Sequence, residues 1–260
     1  MKIALVQLAA PAGDVASTVD YALSLMTKAV QQGAELCVLP ELWTTGYRLK
    51  TVSRLAEPQD GPTLTKLRQF ATAHQVEIIA GSIAELAGST VYNTTYAIRR
   101  DGSLGGKYRK IHLFSLTSEQ NYFSPGNSKG LAEMSFGKAG LIICYDLRFP
   151  ELTRSLALSG CPALFVPAAW PETRGQHWLT LNIARAIENQ CFVIAVNTVG
   201  KYGNINFFGN SLVVTPWGEI LVQGSSTQEE IVFTELDFSL IADVRQKISM
   251  YADRRPEYYI

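Results

Sequence analysis

The sequence predicts an α/β fold of two similar halves, in which two sheets pack face to face and helices cover the outside. Three observations carry that expectation. Short apolar runs such as Leu141-Ile-Ile143 lack period-2 alternation, which marks strands buried on both faces. Amphipathic helical stretches separate these runs. Both halves show one order: strand, helix, strand, helix, strand, strand. No residue identity links the halves, so the repeat is one of elements and not of sequence.

Taken in order, Lys2 to Leu8 reads as a strand. A helix follows from about Val15 to Gln32, with Val19, Leu23, Met26 and Val30 recurring every three or four residues and Gly33 ending it. Glu35 to Pro40 is the second strand, and Glu41 stands just past its end. A helix over about Thr63 to His74 leads to a strand at Val76 to Ile83, with Val91 to Arg99 as its hairpin partner. The turn Arg100-Asp-Gly-Ser supports that reversal. In the second half, Cys144 ends the strand Leu141 to Ile143. Pro150 suits a first helical turn and Glu151 complements its positive end, which predicts a helix to about Ser159. A strand at Pro162 to Pro167, a helix at Gly175 to Asn189 and strands at Cys191 to Asn197 and Asn210 to Thr215 follow. Pro216-Trp-Gly-Glu219 is a turn, and Ile231 to Leu236 is the last strand.

Composition narrows the class. At 260 residues and 47% hydrophobic, the chain can bury a large core, and no Gly/Ser-rich, Pro-rich or charged linker divides it. A single domain over residues 1–260 is therefore expected. Lys plus Arg equals Asp plus Glu at 23 each, with no basic run, which argues against a nucleic-acid partner. No apolar stretch approaches the roughly 20 residues that span a bilayer, and the first residues pass directly into a strand, so neither membrane span nor signal peptide is expected. Cys37, Cys144, Cys161 and Cys191 lie far apart in or beside apolar runs, a pattern that suits reduced thiols in a cytoplasm. His74, His112 and His177 form no close pair, so neither a metal centre nor another cofactor is expected. The tail, from about residue 246 to 260, carries Arg254-Arg255-Pro256 and three tyrosines. It reads as a segment docking at a subunit interface or as a solvated end.

Glu41, Lys110 and Cys144 are the candidate chemistry. A cysteine nucleophile needs a base for its proton and a cation or N–H donors for the oxyanion that forms on attack. The helix start beside Cys144 offers N–H groups and a positive dipole end that favour a thiolate; the alternative is a small core hydrophobe. Equally, Glu41 can be a solvated loop carboxylate and Lys110 a surface charge. Trp43 and Tyr47 suit a core or a pocket wall, and Asn197 a pocket or a turn cap. His112 reads as structural, Arg185 and Glu188 as an ion pair one helical turn apart, and Cys37, Cys161 and Cys191 as inert.

The fragments also form an ordered set: Pro40-Glu41, Tyr108-Arg-Lys110-Ile-His-Leu-Phe114, Gly140-Leu-Ile-Ile-Cys144-Tyr-Asp-Leu-Arg148-Phe-Pro-Glu151, Ala184-Arg-Ala-Ile-Glu-Asn189, Gly209-Asn-Ser211 and Pro216-Trp-Gly-Glu219. In that order the chain resembles the nitrilase, or carbon–nitrogen hydrolase, superfamily. The resemblance implies a four-layer α-β-β-α sandwich and common homo-oligomers, here a homodimer or larger. It implies Glu41 as general base, Cys144 as nucleophile forming a thioester, and Lys110 with the Tyr145 N–H as oxyanion donors. Glu119, nine residues past Lys110, matches a second family glutamate. Cys144-Tyr-Asp-Leu-Arg148-Phe-Pro-Glu151 is similar to the branch of omega-amidases and the amidase of deaminated glutathione. Those enzymes act on amides of small acids that bear a distant carboxylate. Arg148 is then the candidate carboxylate ligand, or else the partner of Asp146 or Glu151; Trp170 and Tyr47 would shape the pocket. Cys-Tyr-Asp in place of Cys-Trp-Glu argues against a true nitrilase. The expected activity is ammonia release from an amide such as 2-oxoglutaramate, with water as co-substrate. The alternatives are an N-carbamoyl amino acid or carbamoylputrescine-type amidohydrolase, and a non-catalytic binding member.

Overall fold

The pleat of the first strand sorts its side chains into two cores. In β1 (Lys2–Gln7), Ile3 and Leu5 belong to one apolar cluster, while Ala4 and Val6 belong to another. This is why the run shows no polar alternation: both faces are covered, and each buried Ile, Leu or Val contributes about 1.5–3 kcal/mol. The structure, a computed structural model, describes residues 1–9 and 14–259; residue 260 of the tail lies outside them.

The first half continues through α1 (Val15–Gln31), β2 (Leu36–Val38), α2 (Val52–Leu55), α3 (Pro62–His74), β3 (Glu77–Ile79), β4 (Ile83–Ala87), β5 (Thr90–Ile98) and β6 (Leu104–Arg109). Asp14 caps α1 by accepting from the Ser17 N–H at 2.9 Å. The second half comprises β7 (Gly130–Met134), β8 (Gly137–Leu141), α4 (Pro150–Leu158), β9 (Ala163–Ala168), α5 (Gly175–Asn189), β10 (Phe192–Asn197), β11 (Val199–Tyr202), β12 (Ile205–Phe208), β13 (Leu212–Val214) and β14 (Ile220–Gln223). β15 (Glu230–Glu235) and α6 (Ser239–Lys247) follow.

The strand orders are β15-β1-β2-β3-β5-β4, with β6 on β5, and β14-β13-β10-β9-β8-β7. In each sheet three neighbouring parallel strands, β1-β2-β3 or β8-β9-β10, carry an antiparallel strand on either side. The two expected halves are therefore real at the level of topology. Ile3, Leu5, Leu36 and Val38 meet Leu141, Phe165 and Ile194 between the sheets; α1 and α3 cover the outer face of the first sheet, and α4 and α5 that of the second. The result is the four-layer α-β-β-α sandwich.

Several expectations are corrected. The buried stripe of α1 is Val19, Ala22, Leu25, Met26 and Ala29, whereas Leu23 and Val30 are only half-buried. The strand expected at Val76 to Ile83 breaks at Ala80 to Ser82, where Gly81 has φ +61° and a Cβ would meet Pro40 O at 2.1 Å. That break lets Ser82 N–H bond Pro40 O at 2.9 Å and Trp43 Nε1 bond Ala80 O at 2.8 Å, fixing the turn that carries Glu41. The Arg100-Asp-Gly-Ser turn leads from β5 into β6, a strand not anticipated because two glycines and two basic residues hide its pattern. β7, β14 and the β11–β12 hairpin were also not anticipated, nor was α6. The last strand returns to the first sheet, antiparallel to β1. In the tail, the Tyr251 hydroxyl bonds Asn189 O at 2.5 Å, while Tyr258 and Tyr259 are exposed.

Candidate active site

Each chemical group stands where a strand has just ended. After β2, the chain turns sharply at Leu42 (φ +45°), and the Leu42 N–H bonds Ser82 Oγ at 2.9 Å. Glu41 is 1% exposed. After β6, Lys110 N–H bonds Asn93 O at 2.9 Å, so the pleat directs Lys110 to the side opposite Arg109. After β8, Ile142 N–H still bonds Phe165 O at 3.1 Å, and Cys144 opens a 3₁₀ turn, Cys144–Arg148, with φ +47°. Cys144 thus lies three residues beyond the strand proper, in a left-handed conformation unusual for a side-chain-bearing residue.

These side chains converge. Lys110 Nζ donates to Glu41 Oε1 at 2.8 Å and to Glu119 Oε1 and Oε2 at 3.0 and 2.9 Å. All three side chains are fully buried. Glu41 Oε1 also accepts from Asn93 Nδ2 at 2.9 Å, and Oε2 from the Ala169 N–H at 3.0 Å. Glu119 accepts from the Tyr47 hydroxyl at 2.7 Å and the Phe114 N–H at 2.8 Å. Glu41 and Lys110 both stand near enough to the Cys144 sulfur to act on its proton affinity. Two carboxylates thus share one ammonium, leaving one net negative charge beside the sulfur.

Burial and that charge together set the protonation states. Burial alone would strip the proton from Lys110, but Glu119 and Glu41 outweigh it and hold its pKa well above the usual lysine value. Burial, reinforced by Glu41, pushes the Cys144 thiol well up; Lys110 opposes and loses. The resting group is therefore a thiol, which corrects the expectation that the helix start favours a thiolate. Burial and the same carboxylates also keep Tyr47 protonated, as a donor to Glu119. Cys37 and Cys191 are pushed up to about 12 and Cys161 to about 11 by burial, and these are inert core thiols.

Asp146 fastens the turn. It accepts from the Tyr108 hydroxyl (2.8 Å) and Ile143 N–H (2.9 Å) through Oδ2, and from His112 N–H (3.0 Å) and Nδ1 (2.8 Å) through Oδ1. This ties the Lys110 segment to the cysteine turn. His112, stacked on Phe149 with centroids 3.5 Å apart, is structural. Arg185 pairs with Glu188 at 3.0 Å and also donates to Leu147 O at 3.0 Å, so the helical ion pair supports the same turn. Asn197 holds Trp170 by accepting its N–H at 2.6 Å, and it donates to Gly209 O at 2.9 Å. Trp43 is a core residue.

A cavity of about 300 Å³ opens onto Cys144, with Tyr47, Tyr145, Arg148 and Trp170 in its wall, together with Phe114, Arg174 and Phe207. Among the described residues Arg148 has no ion pair; neither Asp146 nor Glu151 takes it. Its guanidinium lies 4.7 Å from the Trp170 ring centroid and 3.3 Å from His177 Nδ1. The first bond of the cysteine turn runs from Asp146 N–H to Ile143 O, placing Tyr145 ahead of the turn's own bonding. Asn93 and Ala169 escaped the sequence reading, and Asp146 entered it only as a possible partner of Arg148, because each matters through a partner distant along the chain. No group of three or more metal-ligating side chains occurs among the described residues.

A thiol, a buried carboxylate within reach of its proton and a fixed ammonium, at the bottom of a small pocket, can attack a carbonyl and stabilise the resulting oxyanion. Fold and site together define a hydrolase acting on carbon–nitrogen bonds. The carbon–nitrogen hydrolase family description matches residues 2–246, and the chain belongs to that family. It is similar to the 2-oxoglutaramate amidase of Bacillus subtilis (strain 168), at 43% identity over 226 residues, 87% of each chain. Among solved structures it is similar to Saccharomyces cerevisiae Nit3, a member of branch 10 of the nitrilase superfamily, with TM-score 0.91, 31% identity and 98% and 96% of the two chains covered. A mutant amidase from Nesterenkonia sp. AN1, with the acetamide moiety of fluoroacetamide covalently added at its active-site cysteine, matches with TM-score 0.86, 25% identity and 100% and 95% coverage. Among the described residues no helix is long and apolar enough to cross a membrane.

Proposed function

We propose that the protein is an omega-amidase-type hydrolase, releasing ammonia from the terminal amide of a small acid such as 2-oxoglutaramate through a thioester on Cys144. The observation that carries this reading is the meeting of Glu41 and Lys110 beside Cys144, which opens onto a pocket whose wall holds Arg148, a residue with no ion pair among the described residues. The B. subtilis relative, named for 2-oxoglutaramate, supports the substrate class.

In this mechanism Glu41 takes the thiol proton as sulfur attacks the amide carbon. A neutral resting thiol suits this, since a carboxylate base stands beside it. In the resting site all three N–H donors of Lys110 face carboxylate oxygens. Once Glu41 carries the proton its hold on the ammonium weakens, and Lys110 turns one N–H to the oxyanion, joined by the Tyr145 N–H. Glu119, held by Tyr47 and the Phe114 N–H, keeps Lys110 charged and in place. The carbon–nitrogen bond breaks as Glu41 returns its proton to the departing amine, giving ammonia and the thioester. Glu41 then takes a proton from water, whose oxygen attacks the thioester; the acid leaves, and sulfur recovers the proton.

The test is a panel of small amides and carbamoyl compounds with ammonia and carbon dioxide both measured. The reading expects ammonia alone, fastest from amides with a carboxylate at the far end. Equimolar carbon dioxide would identify a carbamoyl hydrolase instead, and no turnover on any member would reject catalysis.

A further inference from the structure

We infer that Arg174 is a second specificity-determining residue, and that Arg148 and Arg174 together form a two-guanidinium cleft for the substrate's distal carboxylate. This deepens the omega-amidase reading and rests on it for the identity of the anion. Both side chains line the cavity that opens on the thiol. Neither has an ion pair among the described residues, although both are partly buried. Partly desolvated cations in the wall of one cavity without a counter-ion are unfavourable, and a bound anion relieves the arrangement.

Trp170 braces both arginines. Its ring face lies 4.7 Å from the Arg148 guanidinium, and its Nε1 donates to Arg174 O at 2.8 Å. Arg174 belongs to the 3₁₀ turn Glu172–Arg174, and its guanidinium stands 5.6 Å from the Phe114 ring centroid. Burial lowers the Arg148 pKa, and the charge of Arg174 acts in the same direction, so the two guanidiniums sense each other. Glu172, the acidic side chain at the rim, is exposed and accepts from Asn206 Nδ2 at 3.3 Å instead of neutralising either arginine. A carboxylate held in two hydrogen bonds by one guanidinium retains lone pairs for another, so one anion can satisfy both residues. Arg174 was not legible in the sequence because a lone arginine four residues past Trp170 carries no pattern.

Two readouts test this. In the first, Arg174→Ala and Arg174→Lys are assayed on 2-oxoglutaramate and on pentanamide, an uncharged amide of the same chain length. Arg174→Ala is expected to raise KM for the carboxylated amide about 10- to 100-fold, the worth of a charge-assisted hydrogen bond. It should affect pentanamide far less, and Arg174→Lys should recover much of the loss. Arg148→Ala with Arg174→Ala should cost less than the sum of the single losses in free energy, because both grip one group. The second readout needs no turnover: glutarate should slow alkylation of Cys144 by iodoacetamide, and Arg174→Ala should require at least about tenfold more glutarate. If the wild type hydrolyses no carboxylated amide but glutarate protection depends on Arg174, the omega-amidase reading fails and the anion cleft stands. If glutarate gives the wild type no protection, or if Arg174→Ala changes neither protection nor the ratio of KM values, the cleft is overturned.

Discussion

Arg109 and Lys110 are neighbours in sequence, yet they serve two ion-pair clusters of opposite character. Arg109 bonds Glu85 through Nε and Nη2, both at 2.8 Å, and Lys107 joins at 3.1 Å, giving two cations to one carboxylate. Thr94 donates to the same carboxylate at 2.7 Å, and the Arg109 guanidinium stacks 3.8 Å from the Tyr92 ring centroid. Lys110, one pleat away, gives one cation to two carboxylates. In the first cluster the cations are partly exposed; in the second every member is buried. Burial by itself would raise Glu85, but bonds from Arg109, Thr94 and Lys107 overcome it and hold the carboxyl at about 2. Excess positive charge thus locks a carboxylate at the protein edge. At the thiol, burial reinforced by the Glu41 carboxylate instead keeps a proton on sulfur. Strand alternation alone separates a structural device from a chemical one.

The contrast can be broken from either side. Glu41→Gln removes the base and should lower kcat by about 10²- to 10⁴-fold, measured as ammonia release with excess amide. Gln keeps the shape and its oxygen can still accept from Lys110 and Asn93, but its amide nitrogen cannot accept from the Ala169 N–H, so the thermal midpoint should fall while the fold is kept. A variant that retains activity would remove Glu41 from the chemistry. The smaller effect belongs to the other cluster. Glu85→Gln should lower unfolding free energy by about 2 kcal/mol at neutral pH, reduced from the buried-pair value by solvent at Lys107 and Arg109, with kcat within about twofold. The pH dependence follows from the sign of the shift: the folded pKa lies below the unfolded one, so the contribution is full above the ordinary glutamate range. It fades as pH falls from about 4.5 toward about 2. Denaturant titrations of wild type and variant should therefore converge on acidification through that window, and curves that stay parallel would contradict the assignment.

Much of this was legible before any coordinates. Glu41, Lys110 and Cys144 stand in short motifs just past apolar runs, and continuous hydrophobicity signals strands covered on both faces. The long helices α1, α3, α4 and α5 were bounded to within about a residue, because caps and prolines mark their ends. What escaped depends on pairing. Asn93 reaches Glu41 only because the sheet order β2-β3-β5 brings β5 near the end of β2, and Asp146 matters because its carboxylate reaches Tyr108 and His112 across the fold. Gly81 breaks a strand to make room for Pro40, a constraint visible only in the close approach itself. The thiolate expectation failed because it counted the helix start and omitted the burial of the sulfur and the Glu41 carboxylate beside it.

The central claim is an acyl group carried on Cys144, and hydroxylamine tests it most directly. Added during turnover of 2-oxoglutaramate, it should divert the acyl group into a hydroxamate in proportion to its concentration while ammonia release continues, and Cys144→Ala should give neither product. Full ammonia release with no hydroxamate at any hydroxylamine concentration, or hydroxamate and ammonia persisting in Cys144→Ala, would contradict the account.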